Sequence, residues 1–236
     1  MISDPTDATM TASSRHLCLF DLDHTLIPID SDHAFGSFMV EIGWADADEF
    51  RRRNDAFYAD YQAGTLDLDA YIDFATSVWR QRPLAEAWAA RERFLAEVLR
   101  PKVTPQALEL VRHHQRRGDL VAIVTATNEF VTAPIAAEFG VEHLLAVQLE
   151  READGRWLGR VRGTPTFREG KVERVHDWLA GQGASLADFS GVSVYSDSPN
   201  DLPLLEIASE PVATNPSPSL EATATQRGWR ILRLFS

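Results

Sequence analysis

Asp21 and Asp23 stand two residues apart at the end of the apolar run Leu17-Cys18-Leu19-Phe20, and a second pair, Asp197 and Asp201, follows the run Val192-Ser193-Val194-Tyr195-Ser196. Carboxylates gathered at one place repel each other unless a cation neutralises them or some take up protons. Mg²⁺ suits such a set best among common cations, because it takes hard oxygen ligands, keeps several waters and is often shared with a phosphate. The chain also offers groups that hold phosphate. Thr125 ends the run Leu120-Val121-Ala122-Ile123-Val124 and supplies a hydroxyl, with free backbone N–H groups expected where the next helix starts. Lys171 opens another expected helix and brings a fixed positive charge, and Asn200 brings an amide donor. Singly, each is ordinary. An Asp-x-Asp is commonly surface or turn, a Lys at a helix start is usually solvated, and Pro-Asn-Asp is most often a turn with a helix cap. What joins them is their order, each group just past an apolar strand.

The elements that must position these residues alternate. The run at 17–23, ending in its carboxylates, and those at 120–125 and 192–196 lack polar alternation, the mark of parallel strands covered on both faces. Helices are expected over 104–117, stopped by Gly118, over 128–139, opened by the cap residue Asn128, and over 171–180 and 202–208. Further strands are expected at 144–149, 212–214 and 231–234, and Asp154-Gly155 is a hairpin signal. From 30 to 100 the apolar residues recur only at helical spacing, as in Phe35, Phe38, Met39 and Ile42. The pattern implies an α/β fold: a doubly wound, mostly parallel sheet in a Rossmann-like core from residues 1–29 and 101–236, with an all-helical cap inserted over 30–100. Ligands of open sheets bind beyond the carboxyl ends of the strands. Asp21 and Asp23, residues 125–128 and residues 197–201 should therefore meet at one rim. The period of two governs Asp21 and Asp23 only while the strand lasts; where it ends, the chain can turn between them and aim the two carboxyls separately.

The bulk numbers fit that reading. Over 236 residues the formal charge is −12, which argues against a nucleic-acid backbone or an anionic membrane as partner but not against a small phosphorylated metabolite. The single cysteine, Cys18, makes no internal disulfide and no zinc spacing, and reads as a small buried hydrophobe. No apolar run approaches the roughly 18–20 residues that span a bilayer. The expectation is a reduced, cytoplasmic protein with a frayed N-terminus over residues 1–15.

Together these residues resemble the four motifs of the haloacid-dehalogenase-like hydrolase superfamily: Asp21-Leu22-Asp23-His24-Thr25, Thr125, Lys171 after Gly170, and Asp197-Ser198-Pro199-Asn200-Asp201. The helical insert between the first two looks like the cap of the phosphoserine-phosphatase-like branch. The strings around Pro28–His33 and 196–205 are similar to a bacterial subgroup associated in part with histidinol-phosphate hydrolysis. His24 departs from the branch, where a small residue is usual. The resemblance implies that Asp21 attacks phosphorus and Asp23 acts as acid and then base. It implies that Asp21, the Asp23 carbonyl and Asp197 hold Mg²⁺, that Thr125, Lys171 and Asn200 hold the phosphoryl oxygens, and that Asp201 supports the metal waters or Lys171. The implied function is Mg²⁺-dependent hydrolysis of a small phosphate monoester, histidinol phosphate first. Phosphoserine hydrolysis, a generalist phosphatase, a phosphotransferase and an idle binding protein are the alternatives. Residues 30–100 carry 14 Asp or Glu against 8 Arg, which suits a cationic leaving group. Asp32 and His33 are candidates to read it, whereas the Trp and Tyr side chains of the insert are expected in its core and Arg51, Arg52 and Arg53 mostly in solvent.

Overall fold

A computed structural model describes residues 15–235, so the expected N-terminal fraying falls, but for Arg15, outside the described residues. β1 (Leu17–Phe20) is followed by four helices, α1 (Ser31–Glu41), α2 (Ala47–Ala63), α3 (Leu68–Ser77) and α4 (Leu84–Phe94), the last running on through a π turn and a 3₁₀ turn to Lys102. α5 (Pro105–Arg116) leads to β2 (Leu120–Asn128) and α6 (Glu129–Glu138) to β3 (His143–Val147); a hairpin of β4 (Leu149–Arg151) and β5 (Trp157–Val161) precedes α7 (Glu169–Ala180). Then come β6 (Val192–Ser196), α8 (Leu202–Glu206), β7 (Glu210–Thr214), α9 (Pro218–Arg227) and β8 (Arg230–Leu232).

The large sheet has the order β3-β2-β1-β6-β7-β8, with every neighbouring pair parallel. β1 is the point where the chain's path across the sheet reverses, and such a reversal opens a crevice at the carboxyl ends of the strands. Side chains alternate across β1 by the strand's period of two. Leu17 and Leu19 pack with Val175, Leu179, Leu204 and Leu220 from the layer of α7, α8 and α9. Cys18 and Phe20 pack with Val111, Phe130 and Ile135 from α5 and α6. Phe35, Met39, Trp79 and Phe94 belong to that second cluster, so the inserted helices share a core with the sheet. Cys18 is fully buried, and burial pushes its thiol well up from the usual range.

Several boundaries differ from expectation: β1 ends at Phe20 rather than at Asp23, β7 starts two residues earlier, at Glu210, and β8 ends two residues earlier, at Leu232. β2 runs three residues past Thr125 to Asn128. The run at 144–149 is not one strand: Val147 pairs parallel with Asn128, whereas Leu149 pairs antiparallel with Val161, and the corner falls at Gln148. α8 ends at Glu206 and α7 starts at Glu169. α9 is unforeseen because only Leu220 and Ala224 of its polar, Thr-rich sequence are buried, too few to show a period. Among the described residues no helix is long and apolar enough to cross a membrane.

Candidate active site

Asp21 follows Leu17 and Leu19 on the face of the sheet that α7 covers, and its backbone N–H extends the ladder by one bond to the Tyr195 carbonyl at 2.9 Å. Lys171 comes from the first turn of α7. Gly170 lets that turn close, since a Cβ there would run into the Pro165 carbonyl oxygen. The Lys171 ammonium, 1 % exposed, donates to Asp21 Oδ1 at 2.8 Å and to Asp201 Oδ2 at 2.7 Å. Burial alone would push this ammonium down, but the carboxylates of Asp201 and Asp21 outweigh it and hold it charged. Ser196 steadies Asp201 with a 2.7 Å hydroxyl bond. The Thr25 hydroxyl sits between the two other carboxylates, 3.1 Å from Asp21 Oδ2 and 3.3 Å from Asp197 Oδ1.

Beyond Asp21 the chain leaves the sheet in a tight turn. The N–H groups of Thr25, Leu26 and Ile27 all close on the Leu22 carbonyl, and His24 takes the left-handed φ of 57°. This turn frees Asp23 from the strand's alternation. Its Oδ1 accepts from the Ser31 backbone N–H at 2.8 Å and its Oδ2 from the Thr127 hydroxyl at 2.8 Å. Burial, with Asp30 beside it, pushes Asp23 up to about 6. Burial pushes Asp21 up to about 7 against the pull of Lys171, with Asp201 and Asp23 adding repulsion. Asp197 is likewise raised, by burial and then by Asp21 and Asp201.

Asp21, Asp23 and Thr125 open into a chamber whose far wall is built from Tyr58, Tyr61 and Tyr71 of the inserted helices. Asp30 and Asp32 also line it, no Lys or Arg does, and its free volume of about 40 Å³ has room for a few waters only. Asp32 is 5 % exposed. Its Oδ1 accepts from Asn128 Nδ2 at 3.2 Å, while its Oδ2 is buried without a hydrogen-bond partner. Burial, then Asp30, pushes Asp32 up to about 7.

The three rim segments thus meet, with several departures from the sequence reading. Tyr58 and Tyr61 face the chamber, and Tyr71 both lines it and packs on the core, because their helical spacing is that of the core residues and only tertiary packing tells the faces apart. Asn200 does not face the chamber: its amide donates to the Tyr61 carbonyl at 3.0 Å. Of the backbone N–H groups that follow Thr125, those of Thr127, Phe130 and Val131 are taken: the first donates to Thr125 Oγ1 and the other two to Asn128 Oδ1. His33 lines the chamber, yet its ring bonds outward to Asp55 at 2.8 Å. Thr25, Thr127 and Asn128 carry site contacts that the sequence reading did not assign.

A cation fits this donor set. Among the described residues no three His, Cys, Asp or Glu side chains form a ready metal cage. Two carboxylates, Asp21 and Asp197, meeting at one hydroxyl are what Mg²⁺ uses, since it fills the rest of its shell with carbonyls, waters and phosphate. Burial first and then mutual repulsion raise these carboxyls, and a cation would offset both.

Comparison with known proteins agrees with this geometry. The chain is 41 % identical over 218 residues to a histidinol-phosphatase of Neisseria meningitidis serogroup C (strain 8013), a match covering 92 % of this chain and 98 % of that protein. The crystal structure of a protein of unknown function from Bordetella pertussis Tohama I superposes with a TM-score of 0.90 at 50 % identity, covering 94 % of this chain and all of that one. A substrate-bound phosphoserine phosphatase complex superposes with a TM-score of 0.66 at 19 % identity over 92 % of both chains, a likeness of fold. The family pattern of the haloacid dehalogenase-like hydrolases matches residues 18–206, from β1 to the end of α8, and to that family this chain belongs.

Proposed function

We propose that the protein is a Mg²⁺-dependent phosphatase acting on a small phosphate monoester with a cationic leaving group, histidinol phosphate being the best-supported substrate. The observation that carries this reading is one chamber in which the Lys171-anchored Asp21 and the hydrogen-bonded Asp23 face a wall containing Asp30 and Asp32 and, among the described residues, no Lys or Arg, with His33 there bonded outward to Asp55. The relative's name, histidinol-phosphatase, points the same way. The carboxylate of a phosphoserine would meet only like charge on that wall, and Arg51, Arg52 and Arg53 are exposed.

Asp21, fixed by Lys171 and Thr25, attacks phosphorus through its carboxylate oxygen. The bond to the leaving alkoxide breaks as Asp23 gives it a proton, leaving an aspartyl-phosphate. Asp23 then takes a proton from a water, whose oxygen attacks the same phosphorus and releases inorganic phosphate and the Asp21 carboxylate. A carboxyl held near 6 serves both steps close to neutral pH. Asp21, Asp197 and the Asp23 carbonyl would hold Mg²⁺, which supplies charge neutralisation between nucleophile and phosphoryl group. Thr125 and Lys171 steady the phosphoryl oxygens, with Asn200 joining them once it leaves Tyr61, and Asp201 holds Lys171 in place. Residues 30–100 act as the cap that excludes water and reads the leaving group.

The test is phosphate release from histidinol phosphate, phosphoserine, sugar phosphates and nucleotides, with Mg²⁺ or EDTA and with Asp21→Asn as control. A preference for histidinol phosphate of about 100-fold in kcat/KM, about 2.7 kcal/mol of transition-state binding, is expected. Even turnover across the panel would leave a generalist. Turnover by Asp21→Asn, or turnover unaffected by EDTA, would overturn the mechanism.

A further inference from the structure

A second cavity, of about 150 Å³, lies at the β3 edge of the sheet between α4, α6 and the β4–β5 hairpin and shares no lining residue with the catalytic chamber. Its walls are aromatic. Trp88, Phe130 and Trp157 line it, with Trp88 and Trp157 set edge-on to Phe130 at centroid distances of 5.6 and 5.8 Å. Its polar groups are mainly guanidinium. The Arg91 side chain is 11 % exposed and lies 4.2 Å from the Trp88 ring centre, and its Nε is buried with no hydrogen-bond partner. Arg151 stacks on Trp157 at 3.5 Å. Each arginine has a carboxylate partner: Arg91 donates through its terminal nitrogens to Glu92 at 2.7 Å and to the Phe130 carbonyl at 3.4 Å, which leaves Nε alone unanswered, and Glu129 lies 3.7 Å from Arg151 while accepting from the Leu149 backbone N–H at 3.2 Å.

Stacking alone would explain arginines that tie α4 and the hairpin to α6. It explains neither the void nor the unanswered N–H. A buried guanidinium donor without an acceptor costs on the order of 1–3 kcal/mol, more when charged, and is retained where something else supplies the acceptor. A cavity of about this size accepts a single benzene-sized ring.

The geometry points to a binding site for a small flat-ringed carboxylate, its ring between Trp88, Phe130 and Trp157 and its carboxylate on Arg91. The ligand would bear on the first turn of α6. Glu129 and Phe130 follow directly on Asn128, which caps that helix and donates to Asp32, and on Thr127, which holds Asp23.

Calorimetric titration of the full chain with benzoate tests this, with benzamide as the uncharged comparator and with the variants Arg91→Gln and Trp88→Ala. Trp88 is 40 % exposed, so its removal leaves the fold intact should Arg91→Gln fail to fold. Benzoate is expected to bind one to one, with about tenfold weaker binding for benzamide and for Arg91→Gln, because a charge-assisted bond is lost in each. Trp88→Ala is expected to weaken benzoate about fivefold through the lost ring contact. Turnover of nitrophenyl phosphate without benzoate stays unchanged in both variants. No saturation up to roughly 10 mM, a free energy weaker than about −2.7 kcal/mol, would overturn the proposal. So would equal binding of benzamide, or displacement of benzoate by inorganic phosphate, which would move it to the catalytic chamber.

Discussion

The hydroxyl of Thr127 donates to Asp23 Oδ2 at 2.8 Å and so ties the end of β2 to the turn that follows β1. Asp23 has left the sheet's regular alternation, and this bond with the Ser31 N–H fixes where its carboxyl points. Thr127→Val keeps the shape and removes the bond. A general acid is worth about 10²–10⁴ in rate, and loosening it is expected to lower kcat about tenfold for alkyl phosphates. Nitrophenyl phosphate, whose leaving group needs little protonation, should lose less. An equal loss on both substrates would place Thr127 outside the positioning of Asp23.

Lys171 lies between Asp21 and Asp201 with almost no exposure to solvent. Removing one partner from a buried ion cluster leaves uncompensated charge, which costs about 3–5 kcal/mol. Lys171→Met is expected to lose that much in urea unfolding, and adding Mg²⁺ should restore part of it by neutralising Asp21. A loss under about 1 kcal/mol would mean that water or protons already compensate the carboxylates.

These two arrangements also show what sequence can and cannot reveal. The rim was legible because the runs before Asp21, Thr125 and Asp197 are apolar without alternation, which fixes parallel strands and so the end at which their polar residues emerge. Thr25 and Thr127 were not legible as site residues, since a Thr near a strand end is ordinary and its partner lies roughly a hundred or more residues away in sequence. Tyr58 and Tyr61 were misassigned to the core for a related reason, whereas Tyr71 packs on the core as well as lining the chamber. A tyrosine presents an apolar body and a polar tip, and helical spacing gives the face without saying whether a core or a chamber lies opposite. Asn200 shows the same limit from the other side: its type suits phosphate, but the carbonyl it meets belongs to α2.

Asp32 gives a pH signature. Its carboxyl is held near 7 by burial, against about 3.9 in an unfolded chain. The folded state therefore keeps a proton that the unfolded state has released, so this residue's contribution to stability falls as pH rises from about 4 to 7 and is level above that. Asp32→Asn removes the penalty. Without substrate, the variant is expected to melt about 3–6 °C higher at pH 8, one to two kcal/mol in a chain of this size, with the gain vanishing near pH 4. It should also lose preference for amine-bearing substrates. A gain that does not change with pH would assign the effect to packing instead of titration.

The end of α2 is held by two side chains from the sheet domain's rim. Asn200 donates to the Tyr61 carbonyl, and the Arg168 guanidinium donates to the carbonyl of Gly64, the residue that caps α2. Arg168 does so from a strained backbone, with φ of 52°. Both bonds fall on carbonyls of the helix end, where Tyr61 also accepts from the Gly64 N–H at 3.1 Å. The chamber beneath, with about 40 Å³ free, is too small for a phosphorylated metabolite, so entry requires this end of α2 to lift. Arg168→Ala removes one tie without touching Asp21, Asp23 or the phosphoryl-binding groups. It is expected to speed hydrogen exchange across residues 61–66 and to change kcat and KM together, each by about two- to fivefold, as loss of one charge-assisted bond worth roughly 1 kcal/mol in a partly exposed setting would do. Any inhibition by inorganic phosphate should be equal in variant and parent, since the proposed phosphate-holding groups are untouched. Unchanged exchange across 61–66 would show that the tie does not control opening. A change in phosphate inhibition alone would instead make Arg168 a phosphate ligand.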